Sequence, residues 1–480
     1  MFSTIGELLV RESVISMTQL NEALSHQKQH GGRLGDALVA LGYISPVELK
    51  QFFNTVPPVP LKVNQTGLST TLLVDLLLKT AYFDGGTYSL GPMSKNMCLP
   101  MGVVDELTES ARTDGLVAIK SAAGYNRATH IFELTSQGRK RANEALEQSQ
   151  YAGAAPVPIK FYSIMTAHQT VRQIEIDDAW IRNALSHMVV DDDLLHRLGP
   201  AFNSGRSIFM YGPPGTGKSS ISESLARALT STVYIPYAVE VGGQIIRLFD
   251  PAIHIPAEEP AEESSMLDLE AGHKYDPRWR LCRRPVAMVG GELTLESLDL
   301  DFDPVTKFYE APIHMKAANG FFILDDFGRQ QVPPRQLLNR WIVPLERGTD
   351  FLSLHTGKKF EIPFDQVTVF ATNLKPSELV DEAFLRRIRH KVRINYQTEE
   401  QFYEILKRVC NQQGIAYTDS AGRYLVDTYY RQAKRPMVGS HPRDLVDQII
   451  DRARFMKVHP ELTPETIDAA AANYFVDMDA

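Results

Sequence analysis

Apolar and polar positions divide the chain into stretches of different period. Ser207 to Tyr211, Phe321 to Leu324 and Val367 to Ala371 are short, continuous apolar runs, the pattern of strands buried on both faces of a parallel sheet. From about residue 397 to the end, apolar positions recur with helical spacing. Between residues 61 and 150 the pattern predicts helices over Thr70 to Phe83, Ser94 to Leu99 and Met101 to Ala111. Two strand-like runs follow, Leu116 to Lys120 and His130 to Leu134, with Gly124 between them, and then a helix from Gly138 to Gln150. The first 56 residues carry an internal repeat. Ile5-Gly6-Glu7-Leu8-Leu9-Val10 recurs 29 residues later as Leu34-Gly35-Asp36-Ala37-Leu38-Val39, and Ile15-Ser16 recurs as Ile44-Ser45. Each unit reads as a short helix, a turn and a second helix. Ser16 with Gln19, and Ser45 with Pro46 and Glu48, mark both second helices with capping boxes.

Proline-rich linkers separate these blocks: Val56 to Pro60, and Tyr151 to Pro158. The boundaries that follow are 1–56, 61–150, 160–396 and 397–480. Three helices and a β-hairpin predict a winged-helix-like α+β connector over 61–150. Its third helix would be the DNA-reading one, yet it carries Asp105, Glu106 and Glu109. Nine Lys and Arg balance nine Asp and Glu across the connector, and phosphate binding needs clustered positive charge. A protein-docking role fits it better. A long insertion-like region runs from Tyr237 to Gly320, and Pro256 to Glu263 within it reads as a solvated acidic loop.

The 480 residues are 44% apolar and 22% charged, with a formal net charge of −8, the balance of a globular chain of several domains. Bulk electrostatics therefore do not favour whole-chain nucleic-acid binding. Cys98, Cys282 and Cys410 lie far apart without CxxC spacing, which argues against a disulfide framework and a zinc site. No run approaches 18 apolar residues and the N-terminus lacks signal-peptide character, so the expectation is a cytoplasmic protein without a membrane span.

The strongest chemical signal is Gly212-Pro213-Pro214-Gly215-Thr216-Gly217-Lys218-Ser219, with a strand before it and a helix-forming run from Ser220 to Leu229 after it. Glycines let successive N–H groups turn toward a phosphate chain, and the following helix adds its positive end. Lys218 can reach the β- and γ-phosphates of ATP, and Ser219 can ligate Mg²⁺. The run Phe321 to Leu324 ends in Asp325-Asp326, carboxylates placed to hold Mg²⁺ (Asp325) and to polarise an attacking water (Asp326).

With these motifs the chain resembles the AAA+ ATPases from about 165 to 475. The resemblance implies an α/β P-loop domain with a C-terminal helical lid and ATP hydrolysis at the subunit interfaces of a homo-oligomeric ring, commonly a hexamer. It implies that Asn373, in Ala371-Thr372-Asn373, is the sensor 1 residue. It implies that Asp381 to Arg387 carries an arginine finger at Arg386 or Arg387, and that Arg443, in Pro442-Arg443-Asp444, is the sensor 2 residue. Pro334 to Leu338 followed by Leu345-Glu346 is similar to the helix after Walker B in the helix-insert branch. Most relatives have Glu where this chain has Asp326, one methylene shorter, and no clean aromatic-glycine pore loop is present.

The N-terminal repeat resembles the MshEN (GspE N-terminal) domain of secretion and pilus ATPases, with copies at Thr4 to Gln27 and Arg33 to Val56. That resemblance implies cyclic di-GMP binding through Ile5, Gly6, Leu9, Gln27, Arg33, Leu34, Gly35, Leu38 and Gly42. Thr4, Ser13 and Val56 depart from the pattern. The combined expectation is a multidomain bacterial ATPase: a small all-α repeat, a connector, and an AAA+ motor with its lid, acting on an unidentified protein partner. Two rivals stand beside it. One is an ATP-dependent DNA-binding regulator that uses the connector. The other is a weakly hydrolysing ATP switch, motivated by Asp326.

Overall fold

The computed structural model describes residues 15–30, 34–44, 56–121, 129–257, 275–379 and 385–475. Its centre is a five-stranded parallel sheet. The spatial order is Val286–Val289, Phe321–Leu324, Val367–Thr372, Ile208–Tyr211, His390–Arg393. The three apolar runs are its middle strands, and their alternate residues face opposite layers. Ile208, Met210, Phe321, Ile323, Val367 and Val369 pack with Ile221, Leu225 and Leu198 on one side. Phe209, Phe322, Leu324 and Phe370 pack with Trp341 and Leu337 on the other. Helices Asp192–Asn203 and Lys218–Ala228 supply the first layer, and Pro334–Arg347 the second. The chain leaves Ile208–Tyr211 for the far edge of the sheet and returns on its other side as His390–Arg393. The crossovers diverge at Ile208–Tyr211, the switch point beside whose carboxyl end α/β sheets place their ligands.

The insertion-like region is largely a second layer of sheet. Asp301–Phe302, Tyr309–Glu310, Gln244–Arg247, Ala238–Val241 and Val157–Pro158 form five short strands in that order, and Thr232–Pro236 pairs with Trp279–Arg283. They enclose their own core around Val239, Ile246, Trp279 and Tyr309. The acidic stretch from Glu258 lies outside the described residues. The turn at Asp250 to His254 is locked by a buried imidazole. His254 Nδ1 accepts from the Asp250 N–H at 2.9 Å, and Nε2 donates to the Lys316 carbonyl at 2.8 Å.

The connector packs helices Thr70–Phe83, Leu90–Met97, Met101–Thr113 and Ser136–Gln148 around an antiparallel sheet ordered Thr87–Tyr88, Ile131–Leu134, Val117–Ser121. The second helix begins four residues before the expected Ser94, because Pro92 falls in its first turn, where no intrahelical N–H donor is required. The strand Thr87–Tyr88 has no sequence signal at two residues. A buried ion pair fastens the connector to the second sheet. Arg278 and Asp276, 1% and 3% exposed, meet at 2.7 Å. Arg278 Nη1 also donates to the carbonyls of Thr66 and Pro156 at 2.9 and 3.1 Å, and the Asp276 N–H donates to the Pro57 carbonyl at 3.0 Å.

At the N-terminus, helices Met17–His30 and Leu34–Ala40 share a small core of Ile15, Leu20, Ala23, Ala37, Leu38 and Ile44. The Ser16–Gln19 capping box is formed, with bonds of 2.7 and 3.2 Å. Ser45, Pro46 and Glu48 lie outside the described residues. The C-terminal part is a bundle of Glu399–Gln412, Asp419–Val426, His441–Met456 and Pro464–Tyr474. No helix among the described residues is long and apolar enough to cross a membrane.

Burial holds the His254 imidazole neutral and pushes its pKa from 6.5 to about 4. The folded state therefore binds fewer protons than the unfolded chain between these values. Stability should be fully present above pH 6.5 and be lost progressively as pH falls toward 4, by about 3 kcal/mol for this group. Urea unfolding at pH 7 and pH 4.5 measures this. His254→Gln is expected to be less stable at pH 7 and to show a shallower loss on acidification; an unchanged slope would refute the assignment.

Candidate functional site

The carboxyl end of Ile208–Tyr211 leads into Gly212 to Ser219. The loop is compressed from several sides, so its glycines are required by space as well as by dihedral angle. A Cβ on Gly212 would lie 1.9 Å from the Ile394 carbonyl oxygen, and one on Gly215 would lie 2.4 Å from Val438 Cγ1. Gly215 and Gly217 take φ +71° and +88°, the left-handed region open to glycine. Pro213 and Pro214 continue the turn, and the buried Thr216 closes it by donating from Oγ1 to the Pro213 carbonyl at 2.9 Å. Gly217 is the N-cap of helix Lys218–Ala228, so that helix starts two residues before the expected Ser220. Its first N–H groups and its positive end face the loop.

Five chemistry-bearing side chains meet here: Lys218, Ser219, Asp325, Asp326 and Asn373. Lys218 is 6% exposed. Its Nζ donates to the Gly212 and Pro213 carbonyls at 3.0 and 2.7 Å and to Asn373 Oδ1 at 2.6 Å. Burial lowers its pKa, while Asp325 and Asp326 act in the opposite direction. Ser219 Oγ donates to Asp325 Oδ1 at 2.7 Å. Asn373 Nδ2 donates to Asp326 Oδ1 at 3.0 Å. Asn373 thus joins the lysine to the second carboxylate. Asp326 has φ +46°, an uncommon conformation that an aspartate tolerates better than most residues. Such backbone outliers concentrate at functional sites. The Thr372 hydroxyl donates to the Phe327 carbonyl at 2.6 Å, tying the Asp325-Asp326 turn to the next strand.

The donor set suits a nucleoside triphosphate with a hard divalent cation. Backbone N–H groups, a helix N-terminus and one ammonium suit a polyphosphate. A hydroxyl and a carboxylate oxygen in contact suit Mg²⁺. Ser220 is exposed on the first turn of the helix, at the margin of this set.

The remaining candidates are spread out. Arg443 is exposed at the third residue of helix His441–Met456. Three residues earlier, the Ser440 N–H donates to the Gly215 carbonyl at 3.1 Å, which brings this helix start onto the loop. Arg387 Nε pairs with Glu346 Oε1 at 2.6 Å, while Arg386 is exposed. Both line a cavity of about 620 Å³ with Arg206, Arg389, Lys391 and Glu346. Arg206 and Arg389 stand two residues and one residue before the strands at Ile208 and His390, so this basic cavity lies at the opposite end of the sheet from the phosphate loop. A four-residue strand separates the two by about 13 Å. Residues 380–384, which include Asp381 to Phe384, lie outside the described residues.

In the N-terminal repeat, Ile5, Gly6, Leu9 and Arg33 lie outside the described residues. Leu38 is fully buried between the two helices, Leu34 packs against the same core, and Gly35 and Gln27 are partly covered. Gly42 has φ +71° and open space around it. Sequence reasoning missed the contacts that close over the loop, from Met188, Ile394, Val438 and Ser440. They come from segments distant in the chain and carry no motif.

Comparison with known proteins finds partial similarities. A family model described as a domain of unknown function (DUF8689) matches residues 398–473, the C-terminal bundle. A stretch of 65 residues, 13% of the chain, is 43% identical to the type IV pilus assembly ATPase PilB of Myxococcus xanthus and spans 12% of that protein's length. Among solved structures, NtrX of Brucella abortus in complex with ADP is 13% identical, with a TM-score of 0.36 over 70% of this chain and 66% of that one. The Holliday junction branch migration motor RuvB of Thermotoga maritima is 11% identical, with a TM-score of 0.32 over 63% of this chain and 71% of that one.

Proposed function

We propose that the chain is a Mg²⁺-dependent ATPase of AAA+ type, working as a homo-oligomeric ring of about six copies that remodels a protein partner. The observation that carries this is the linked set Ser219–Asp325 and Lys218–Asn373–Asp326 at the end of a parallel sheet. Bound Mg²⁺·ATP would supply the phosphoanhydride, and the divalent charge would stabilise the departing ADP. Lys218 places its ammonium at the mouth of the loop. Ser219 and Asp325 present the oxygens for the cation. Asp326 is the carboxylate that orients a water and takes its proton, and Asn373 holds it in place. One arrangement supports the ring, and a second supports a lid contact with the nucleotide. The basic cavity at the opposite end of the sheet cannot reach the chain's own phosphate loop, so its arginines suit a second copy. Arg443 stands on the helix whose start touches Gly215.

The connector is proposed as a protein-docking module. Its third helix lines a surface groove with Asp105, Glu106, Glu109 and Asp114, which disfavours the DNA-binding reading. Cyclic di-GMP is proposed as a regulator at the N-terminal repeat, supported by the open Gly42 turn beside a helix pair. A cytoplasmic location fits this set of functions. The weakly hydrolysing alternative has one specific support, the short Asp326 side chain held by Asn373.

Lys218→Ala should bind neither ATP nor inorganic triphosphate measurably. Asp326→Asn should bind ATP with near-normal affinity and turn it over at least tenfold more slowly, since removing a positioned proton acceptor costs about 10²–10⁴ in rate. Steady-state kinetics with nucleotide-binding titration decide this, and wild-type turnover in either variant would overturn the site.

Trans action predicts complementation. Mixing the Arg386→Ala/Arg387→Ala double variant with Lys218→Ala subunits should give more activity than either alone, because each lacks a different half of a shared site. A finger contributes about 10³-fold or more in rate. A mixture no more active than the sum of its parts would refute a composite site.

A further inference from the structure

The C-terminal bundle, which a domain-of-unknown-function model matches, makes a second contact with the nucleotide site that the motifs do not account for. It comes from the first helix of the bundle, Glu399–Gln412. Arg408 Nη1 donates to the Ser186 carbonyl at 3.0 Å and to the Met188 carbonyl at 3.1 Å. Glu404, one turn earlier, holds Arg408 Nε at 2.7 Å and fixes the direction of the guanidinium. Gln401 Nε2 reaches Asp191 Oδ2 at 3.2 Å, and Asp191 caps helix Asp192–Asn203 through its other oxygen. One face of one helix therefore grips the segment 186–191 at three backbone or capping positions.

That segment walls the phosphate loop. The Met188 methyl lies 3.3 Å from where a Cβ on Gly217 would stand. His187 Nε2 is 3.0 Å from Ser224 Oγ on the helix after the loop. Met188 and Val190 pack into the core that contains Ile221 and Leu225. Which end of a nucleotide faces this wall follows from the acids. Asp325, Asp326 and Asn373 surround Lys218 and Ser219, so the terminal phosphates belong on that flank. The nucleoside end must leave on the other flank, where Met188 stands beside Gly217 and Val438 beside Gly215. These two apolar side chains suit the faces of a purine ring. Val438 belongs to the bundle, and Met188 is held to it by Arg408.

We infer that Arg408 is a positioning residue for the nucleoside end of ATP: it pins the Ser186–Met188 backbone to the C-terminal bundle and so fixes the wall against which the base is held. The inference rests on the proposed ATP site and gives the bundle a defined role there. Arginine suits the task, because one planar nitrogen serves two carbonyls while the opposite edge pairs with a carboxylate. A lysine is a single point donor and cannot meet the carbonyls and Glu404 in the same geometry.

The test uses the full chain and four proteins: wild type, Arg408→Met, Arg408→Lys and Lys218→Ala. KM and kcat for ATP are measured together with the affinities for ATP and for inorganic triphosphate, which has the phosphates but no nucleoside. Arg408→Met should weaken ATP binding and raise KM about tenfold, the scale of one charge-assisted hydrogen bond, and leave kcat within twofold. Its affinity for triphosphate should match wild type. Arg408→Lys should fall between the two. A variant that loses ATP and triphosphate equally, or loses kcat at unchanged KM, would show a general structural role and overturn the inference. Unchanged ATP affinity in both Arg408 variants would also overturn it. Failure of the ATP site itself reads differently: wild type and Lys218→Ala would then bind triphosphate alike. Should Arg408→Met melt early, Arg408→Lys carries the same comparison.

Discussion

Everything at the carboxyl end of the sheet depends on where one buried ammonium can be satisfied. Lys218 is almost closed off from water, and an unpaired cation there would be costly. Two carbonyls of its own loop and the Asn373 amide oxygen accept its protons. The loop must therefore curl back far enough to present Gly212 and Pro213, which only a glycine-rich turn does. The next strand must end level with the loop so that Asn373 arrives from the side. Parallel pairing of Val367–Thr372 with Ile208–Tyr211 sets that level, Thr372 opposite Tyr211. Asn373 then has one remaining group, its NH₂, and Asp326 takes it. The position of the second carboxylate follows from the lysine through one shared amide.

The legible parts of the chain are those in which local chemistry and global placement agree. The three middle strands are readable because burial on both faces makes them apolar throughout. The phosphate loop is readable because its dihedral angles and its lack of Cβ room leave few residues to choose from. Asp325, Asp326 and Asn373 are readable because each lies within two residues of the end of a readable apolar run. Legibility falls where an element is short or a contact is distant. Strands of two residues, such as Tyr309–Glu310 and Val157–Pro158, show no alternation, so the second sheet reads as an insertion. Ser186 and Arg408 are 222 positions apart, and nothing local in either marks the bond between them.

Arginines illustrate the same limit. Arg386 and Arg387 are adjacent and equivalent as letters, but in space one is engaged with Glu346 and the other is exposed. Order along the chain assigns both to one motif, and only the fold separates them. The N-terminal repeat is intermediate. Its capping serine and helix pair are readable from spacing, but the same periodicity that identifies Leu38 cannot say whether it faces a ligand or a core. In the structure it lies at zero exposure between two helices.

The Arg278–Asp276 pair has a consequence for how such a chain could be assembled from parts. The proline linkers at Val56–Pro60 and Tyr151–Pro158 look like natural seams for recombination. Yet the carbonyls of Pro57, Thr66 and Pro156 are acceptors for donors at positions 276 and 278. A graft cut at either linker that placed a foreign connector on the α/β part of this chain would leave a guanidinium buried without its full set of acceptors, a heavy cost in a site closed to water. The connector and the second sheet therefore have to be kept together, and a segment can be exchanged without loss of these acceptors only upstream of Pro57.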